Sequence, residues 1–183
     1  MTKKTTGILG AAAVAATVLG GGLALASGGS TNPGAPAEVK NMGCLVGEWK
    51  GVGQMTMGDT KAELKLAISC KWQSGGYGVA CQARFTGPPA LGTLEETDLF
   101  GYEPNTRKYH WFSVTSMGET HDHIAEPPSG NVIDWVFNGT QEQKPYKETV
   151  RMEFSADSKQ LSFKSDTFVG GAIQVSFTGT LKK

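Results

Sequence analysis

The sequence predicts an all-β fold: an up-and-down antiparallel barrel of about ten strands, preceded by one short helix. From residue 48 onward, apolar and polar residues alternate along most of the chain, as on strands with one face in a core and the other in water. Clusters of Gly, Pro, Asn, Asp and Ser interrupt the alternation at intervals of about 8 to 12 residues. No long segment in this part follows the 3.6-residue period of a helix, which excludes folds of alternating strands and helices.

The N-terminal segment, residues 1–26, predicts a signal peptide for export. Lys3 and Lys4 supply its positive start, and the apolar stretch that begins at Ile8 closes on an Ala-Leu-Ala sequence ending at Ala26, which suits a signal peptidase. The alternative is an uncleaved membrane anchor, but the stretch is rich in Ala and Gly and lacks a charged stop. We therefore expect an extracytoplasmic protein, periplasmic or secreted, with no membrane-inserted segment after cleavage.

The rest of the chain divides into a tether and one domain. Residues 27–36 are mostly Gly, Ser and Pro, which predicts a flexible tether. Residues 37–183 predict a single β-barrel domain. The chain carries 17 Lys and Arg against 17 Asp and Glu, so its charge does not favour nucleic acids, and no nucleic-acid partner is expected.

The predicted elements follow in order from the tether. A short helix is expected over residues 36–45, with proline at its first turn and Val39, Met42 and Val46 at helical spacing. Alternation then predicts strands at residues 48–57, 62–72, 77–85, 93–102, 107–117, 119–125, 131–138, 146–155, 160–168 and 172–181. A two-sheet sandwich is the alternative to a barrel, but hairpin-length connections throughout favour the closed meander.

The hairpin between the second and third strands carries a disulfide prediction. A turn at Gly75-Gly76 places Cys70 opposite Cys81, both on the apolar face, with Cα atoms about 4.5–5.5 Å apart. In an oxidising compartment the two residues are expected to form a disulfide bond, and Cys44 is then expected to remain without a disulfide partner. A register shift of one residue would separate them, so two reduced buried cysteines are the alternative.

A short motif opens the first strand: Leu45 begins an L-x-G-x-W-x-G-x-G sequence that ends at Gly53. Such openings resemble those of calycin-type barrels, including the fatty-acid-binding-protein-like group and the haem-binding nitrobindins. Residues 100–109, Phe-Gly-Tyr-Glu-Pro-Asn-Thr-Arg-Lys-Tyr, together with the Trp and the Ser-Met-Gly that follow up to Gly118, resemble an uncharacterised exported bacterial family with the same opening. This resemblance covers residues 36–118 and implies a calycin-like barrel.

Haem binding does not carry over from the nitrobindins. In that family the axial histidine lies late in the chain, and the last histidine of this sequence is His123. We therefore expect no haem, and no other cofactor is indicated by the sequence.

The sharpest local signal for metal chemistry is the pair of histidines in His121-Asp122-His123. Residues two apart lie on one face of a strand, so both imidazoles could bind one ion, with Glu119 on the same face. Because the sequence indicates no further ligand, we expect both histidines to be exposed and free of metal. A metal-dependent enzyme built on these residues is kept as an alternative function.

Three further residues could contact a ligand or act in acid–base catalysis. His110 lies in a segment that is aromatic on both faces, so the alternation does not decide between the interior and the surface. Glu96 and Asp98 share one face of a strand and could form an acid–base pair. Paired carboxylates on such a strand are more often solvated, and solvent is where we expect them.

The barrel leads to a functional hypothesis: an exported, non-enzymatic protein that binds a small apolar or amphipathic molecule in its interior. The residues expected to contact that molecule are Trp49, Leu66, Ile68, Trp72, His110, Tyr146, Met152 and Phe163. For Trp49 the preferred interpretation is a structural plug at one end of the barrel. Besides the metal-dependent enzyme, a structural or partner-binding envelope protein is the other alternative.

Overall fold

The structure, a computed structural model, describes residues 29–128 and 130–183. The predicted signal peptide at residues 1–26 therefore lies outside the described residues, together with the first two residues of the predicted tether. Within the described ranges, no helix has both the length and the apolar character needed to cross a membrane.

Ten antiparallel strands close into one barrel, which confirms the predicted fold class. They are β1 Gly47–Met57, β2 Thr60–Gln73, β3 Gly78–Thr86, β4 Thr93–Glu103, β5 Lys108–Thr115, β6 Thr120–Ala125, β7 Val132–Gln141, β8 Lys144–Phe154, β9 Gln160–Val169 and β10 Ala172–Lys182. Each strand pairs with its neighbours in sequence, and β10 pairs with β1. Closure thereby pairs the two edge strands, which an open sheet of this pattern would expose.

The predicted helix over residues 36–45 forms as two short pieces. Helix α1 spans Ala37–Asn41, and a single 3₁₀ turn continues it over Met42–Cys44. Val39, Met42 and Leu45 of this segment are buried, and the hydroxyl of Tyr109 on β5 donates a hydrogen bond of 2.7 Å to the carbonyl oxygen of Glu38. The segment therefore packs across one end of the barrel, which we call the closed end.

The segment before α1 is attached to the barrel, which corrects the prediction of a flexible tether over residues 27–36 for its described part. Gly29 bridges to Trp72, Ala35 is buried, and the backbone N–H of Asn32 donates to the carbonyl oxygen of Gly76 at 3.1 Å. Gly76 has a φ of 85°, and a Cβ there would lie 2.3 Å from the Asn32 nitrogen. Glycine at this turn thus lets the N-terminal segment approach the β2–β3 hairpin, and the ordered fold begins before the predicted boundary at residue 37.

The disulfide prediction is confirmed. Cys70 of β2 pairs with Cys81 of β3 in the register that the Gly75-Gly76 turn implied, and the two residues are bonded. Both are buried in the core at the closed end. The third cysteine, Cys44, is not disulfide-bonded, and burial raises the pKa of its thiol to about 11.

Aromatic side chains fill the closed end. Phe100 stacks on Trp111 with ring centroids 5.4 Å apart, and both contact Trp135 edge-on. Trp49 packs edge-on against Phe154, and its indole N–H donates to the Leu45 carbonyl oxygen at 2.7 Å. The buried indole N–H of Trp135, by contrast, has no hydrogen-bond partner among the described residues. These large buried rings make this end the main apolar core of the molecule.

Candidate functional site

The end of the barrel opposite α1 is lined by inward-facing side chains that are mostly half-buried rather than buried. We call this end the mouth, and its two walls differ. The apolar wall consists of Met55, Leu64, Phe85, Phe163 and Phe177 on β1, β2, β3, β9 and β10. The polar wall consists of Glu96, Asp98, Ser113, His121, His123, Glu148 and Ser165, on β4, β5, β6, β8 and β9.

Three phenylalanines form the centre of the apolar wall. The ring of Phe177 packs edge-on against Phe163 at 5.0 Å and against Phe85 at 6.0 Å. Glycines lie behind these rings: a Cβ at Gly179 would lie 2.5 Å from Phe163, and one at Gly53 would lie 2.5 Å from Phe177. The rings of Phe163 and Phe177 therefore lie directly on the sheet backbone, and the wall they form with Phe85 is apolar.

The polar wall is centred on Glu148, whose Oε2 faces both histidines of β6. The Nδ1 atom of His121 lies 3.2 Å from Oε2, and the Nε2 atom of His123 lies 3.1 Å from it. The hydroxyl of Ser165 donates to Oε1 of the same carboxylate at 3.2 Å. Burial by itself raises the pKa of Glu148, but the hydrogen bonds and charges of the two histidines outweigh it and hold that pKa at about 2.

Aromatic rings hold the two histidines in place. His121 stacks on Phe137 of β7 with centroids 4.2 Å apart, and His123 stacks on Trp111 at 4.5 Å. His123 is buried, and His121 is half-buried. The hydrogen bond that His121 donates to the Glu148 carboxylate raises the pKa of His121, although burial lowers it.

A second pair of carboxyl groups lies beside this cluster. Glu96 and Asp98 both point inward from β4, and the indole N–H of Trp111 donates to Oδ1 of Asp98 at 2.7 Å. Burial raises the pKa of Asp98 to about 6. Burial, and then the charge of Asp98, raise the pKa of Glu96 to about 8. The prediction that these two carboxylates are solvated is therefore wrong, because alternation along β4 turns them into the barrel with Phe100.

The prediction for His121 and His123 also requires correction, since both face the interior rather than solvent. The carboxylate that joins them is Glu148, whereas Glu119 is exposed just before β6 begins. Glu148 lies two strands away from the histidines in the barrel order, so no local spacing could indicate it. Its place in the alternation of β8, between Tyr146 and Val150, was the available signal: a charged residue at an inward position.

The residues predicted to contact a ligand divide between the two ends. Leu66, Ile68, Met152 and Phe163 face the interior, and Tyr146 lies in the mouth, with a pKa raised to about 12 by burial and by the charge of Glu148. Trp49 and Trp72 belong to the closed end.

The prediction that His110 contacts a ligand in the barrel interior is wrong, because His110 lies on the outer face of β5. Its Nδ1 atom is 3.1 Å from both carboxylate oxygens of Asp122, also on the outer face. The buried neighbours Tyr109 and Trp111 decide the orientation that the aromatic sequence had left open.

Two concavities formed by the described residues lie outside the mouth. One, of about 400 Å³, is a groove on the barrel wall over Gly53, Phe163 and Gly179, wide open to solvent. The other, of about 310 Å³, lies at the closed end between Cys44, Asn131 and Phe154. The candidate site is therefore defined by the side chains that converge in the mouth, not by the volume of a preformed cavity.

Comparison with solved structures supports the architecture. A structure of the S-type phycobiliprotein lyase CPES from Guillardia theta covers 79% of this chain and 90% of its own, with a TM-score of 0.53 and 10% identity. A crystal structure of Rv2717c from M. tuberculosis covers 81% and 98%, with a TM-score of 0.60 and 15% identity. At such identities the likeness extends to the fold alone, and it agrees with the closed ten-strand barrel described above.

Sequence comparisons add no relative. No protein-family model matches the chain, and neither does any curated protein. The closed antiparallel barrel implied by the sequence resemblance is thus supported by structure, while membership of a calycin-type group or of an uncharacterised exported bacterial family stays a prediction.

Proposed function

We propose that this chain is an exported binding protein that holds one small amphipathic molecule in the mouth of its barrel. One observation carries the proposal: a wall of phenylalanine rings lies in the same mouth as a wall of carboxyl and imidazole groups. Binding sites for small molecules combine apolar surface with a few converging polar groups in this way. A purely apolar ligand would displace water from the polar wall without forming hydrogen bonds in its place, so we favour an amphipathic one.

The polar wall indicates the chemistry of the ligand's head group. Three carboxyl groups, on Glu96, Asp98 and Glu148, face the mouth beside two imidazoles. Glu148, with a pKa of about 2, and Asp98, with a pKa of about 6, are carboxylates at neutral pH and accept hydrogen bonds. A head group that donates hydrogen bonds, such as an amine, amide or hydroxyl, therefore suits them better than an anion does. The apolar body of the molecule would lie on Phe85, Phe163 and Phe177.

Export is the other part of the proposal. The Cys70–Cys81 disulfide supports it, because disulfides persist in oxidising compartments outside the cytoplasm. The predicted signal peptide at residues 1–26 agrees with that location. Fractionation of the producing cells followed by N-terminal sequencing tests this part: we expect a mature chain that begins near Ser27 outside the cytoplasm, and an intact N-terminus in the cytoplasm would contradict it.

The binding part is tested with two fluorescent probes that share one apolar body. 1-Aminoanthracene carries a donor group, and 1-anthracenecarboxylate carries an anion. We expect saturable, one-to-one binding of the amine and at least about tenfold weaker binding of the carboxylate, which corresponds to about 1.4 kcal/mol. Equal affinity for both probes would contradict the assigned head group, and binding of neither would contradict the mouth site.

A matched pair of phenylalanine variants locates the site. Phe85→Ala removes part of the apolar wall, whereas Phe112→Ala removes a ring that is 42% exposed on the outer face of β5. We expect the first change to weaken 1-aminoanthracene binding by about tenfold through lost apolar contact, and the second to leave it unchanged. The reverse order would place the probe on the outside of the barrel.

A further inference from the structure

His121, His123 and Glu148 have the composition and spacing of a metal-binding site. One ring nitrogen from each histidine and one oxygen of the carboxylate all lie within 4.8 Å of one another. Zinc bonds of about 2.0–2.1 Å at a tetrahedral angle place neighbouring donor atoms about 3.3 Å apart. The observed separations of 3.2 Å and 3.1 Å from the histidine nitrogens to Oε2 are close to that value.

We propose that His121, His123 and Glu148 bind one divalent transition-metal ion, such as zinc, and leave its fourth coordination position toward the mouth. Two imidazoles and one carboxylate are ligands that zinc accepts, and three protein ligands with one open position distinguish reactive sites from closed structural ones. The proposal goes beyond the binding of an amphipathic molecule, since it concerns an ion held by the barrel itself.

The surroundings hold the three groups in position before any ion arrives. Phe137 and Trp111 stack on the two imidazole rings, which restricts their rotation. The hydroxyl of Ser165 donates to Oε1 of Glu148, so Oε2 is left to face the histidines. Outer groups that orient metal ligands in this way are a regular part of metal sites.

The barrel order explains how the ligands meet. His121 and His123 are two residues apart on β6, so both point inward from the same strand. Glu148 points inward from β8, across the intervening strand β7. Two strands that are anchored in a closed sheet keep these ligands at a fixed separation, which a flexible loop would not do.

Metal binding can be measured on the full chain, expressed without a polyhistidine tag and stripped with a chelator. We expect titration calorimetry to show one zinc ion per chain with a Kd of about 1 µM or lower. Cobalt(II) provides a second readout, since a tetrahedral site with nitrogen and oxygen ligands gives visible absorption bands. An absence of saturable zinc binding to the stripped chain would overturn the proposal.

Four variants assign the site. Glu148→Gln and His121→Gln should each weaken zinc binding by more than about 100-fold, because even outer groups cost 10- to 100-fold when removed. His110→Gln is the matched control, since it removes a histidine from the outer face and should change nothing. Cys44→Ser removes the free thiol and should also leave binding intact.

Two results would contradict the assignment. Zinc binding that survives Glu148→Gln and His121→Gln, or that disappears with Cys44→Ser, would place the ion elsewhere. Thermal unfolding of each variant verifies that it folds. If Glu148→Gln does not fold, the zinc affinity of His121→Gln, at a half-buried position, decides the assignment. Binding of 1-aminoanthracene to the stripped chain is a separate measurement, so loss of one activity does not imply loss of the other.

Discussion

The two ends of this barrel are built from the same alternating strands but differ in what fills them. At the closed end, Trp49, Tyr109 and Trp135 are almost fully buried, and a short helix packs over the opening. At the mouth, inward residues such as His121 and Tyr146 keep partial access to solvent. The difference indicates that the closed end supplies most of the stability and leaves the mouth free to carry charged groups that a packed core would exclude.

Substitutions at the closed end should therefore reduce the stability of the protein the most. Trp49→Ala should lower the free energy of unfolding by about 3–5 kcal/mol, because it leaves a large void and an unpaired Leu45 carbonyl. Tyr146→Ala in the mouth should cost less than half as much, since solvent already reaches its side chain. Denaturant titration of both variants measures the difference, and equal losses would show that the ends do not differ in this way.

The inward-facing acids of the mouth should make the stability of the protein depend on pH. The pKa of Glu96 rises from 4.5 to about 8 on folding, so the folded state binds more protons than the unfolded state between these values. Stability should therefore decrease as pH increases from about 4.5 to about 8, by a few kcal/mol at most, and level off above that.

Replacement of the two neighbouring glutamates separates this effect from surface charge. Glu96→Gln should reduce the loss of stability between pH 5 and pH 8, because its side chain has no proton to release. Glu95→Gln removes an exposed partner of Arg84 and should retain the dependence. Melting temperatures across that pH range provide the measurement, and parallel curves for all three proteins would contradict a raised pKa at the half-buried Glu96.

The disulfide at the closed end has an intermediate expected effect. Replacing Cys70 and Cys81 together by Ser should cost about 2–3 kcal/mol, since the bond closes a loop of 11 residues and restricts the unfolded chain. Denaturant titration gives the free energy of unfolding of the double variant and of Cys44→Ser, and so compares the bonded cysteines with the free one. A loss for Cys44→Ser as large as for the double change would contradict the assigned role of the bond.

The smallest of these effects concerns the glycines behind the apolar wall. Gly179→Ala should cost about 1–3 kcal/mol, because its Cβ would collide with the ring of Phe163. Gly101→Ala on β4 is the control, as nothing lies within 4 Å of a Cβ at that position. Thermal unfolding measures both variants. If only Gly179→Ala lowers the melting temperature, the ring of Phe163 lies on the backbone at Gly179. If both changes lower it equally, the strands tolerate no added side chain at either glycine.

Alternation predicted the fold and the faces of most strands, including the register that joins Cys70 to Cys81. It could not predict which inward residues meet across the barrel, since curvature and shear bring β6 and β8 together around β7. Glu148 was missed for that reason, and His110 because both faces of its segment are aromatic. The segment from Gly29 was taken for a tether because its composition does not reveal the backbone contacts that attach it.

The location of a bound probe decides whether the ligand lies in the mouth of the barrel. Chemical-shift changes on adding 1-aminoanthracene can be followed for each backbone amide in two-dimensional NMR spectra. We predict that the changes concentrate in the mouth, at the amides of Phe85, His121, Glu148 and Phe177. The amides of the buried residues around Trp135 should keep their chemical shifts. Changes confined to the outer groove near Val52 and Thr178, or to the closed end, would contradict a binding site in the mouth.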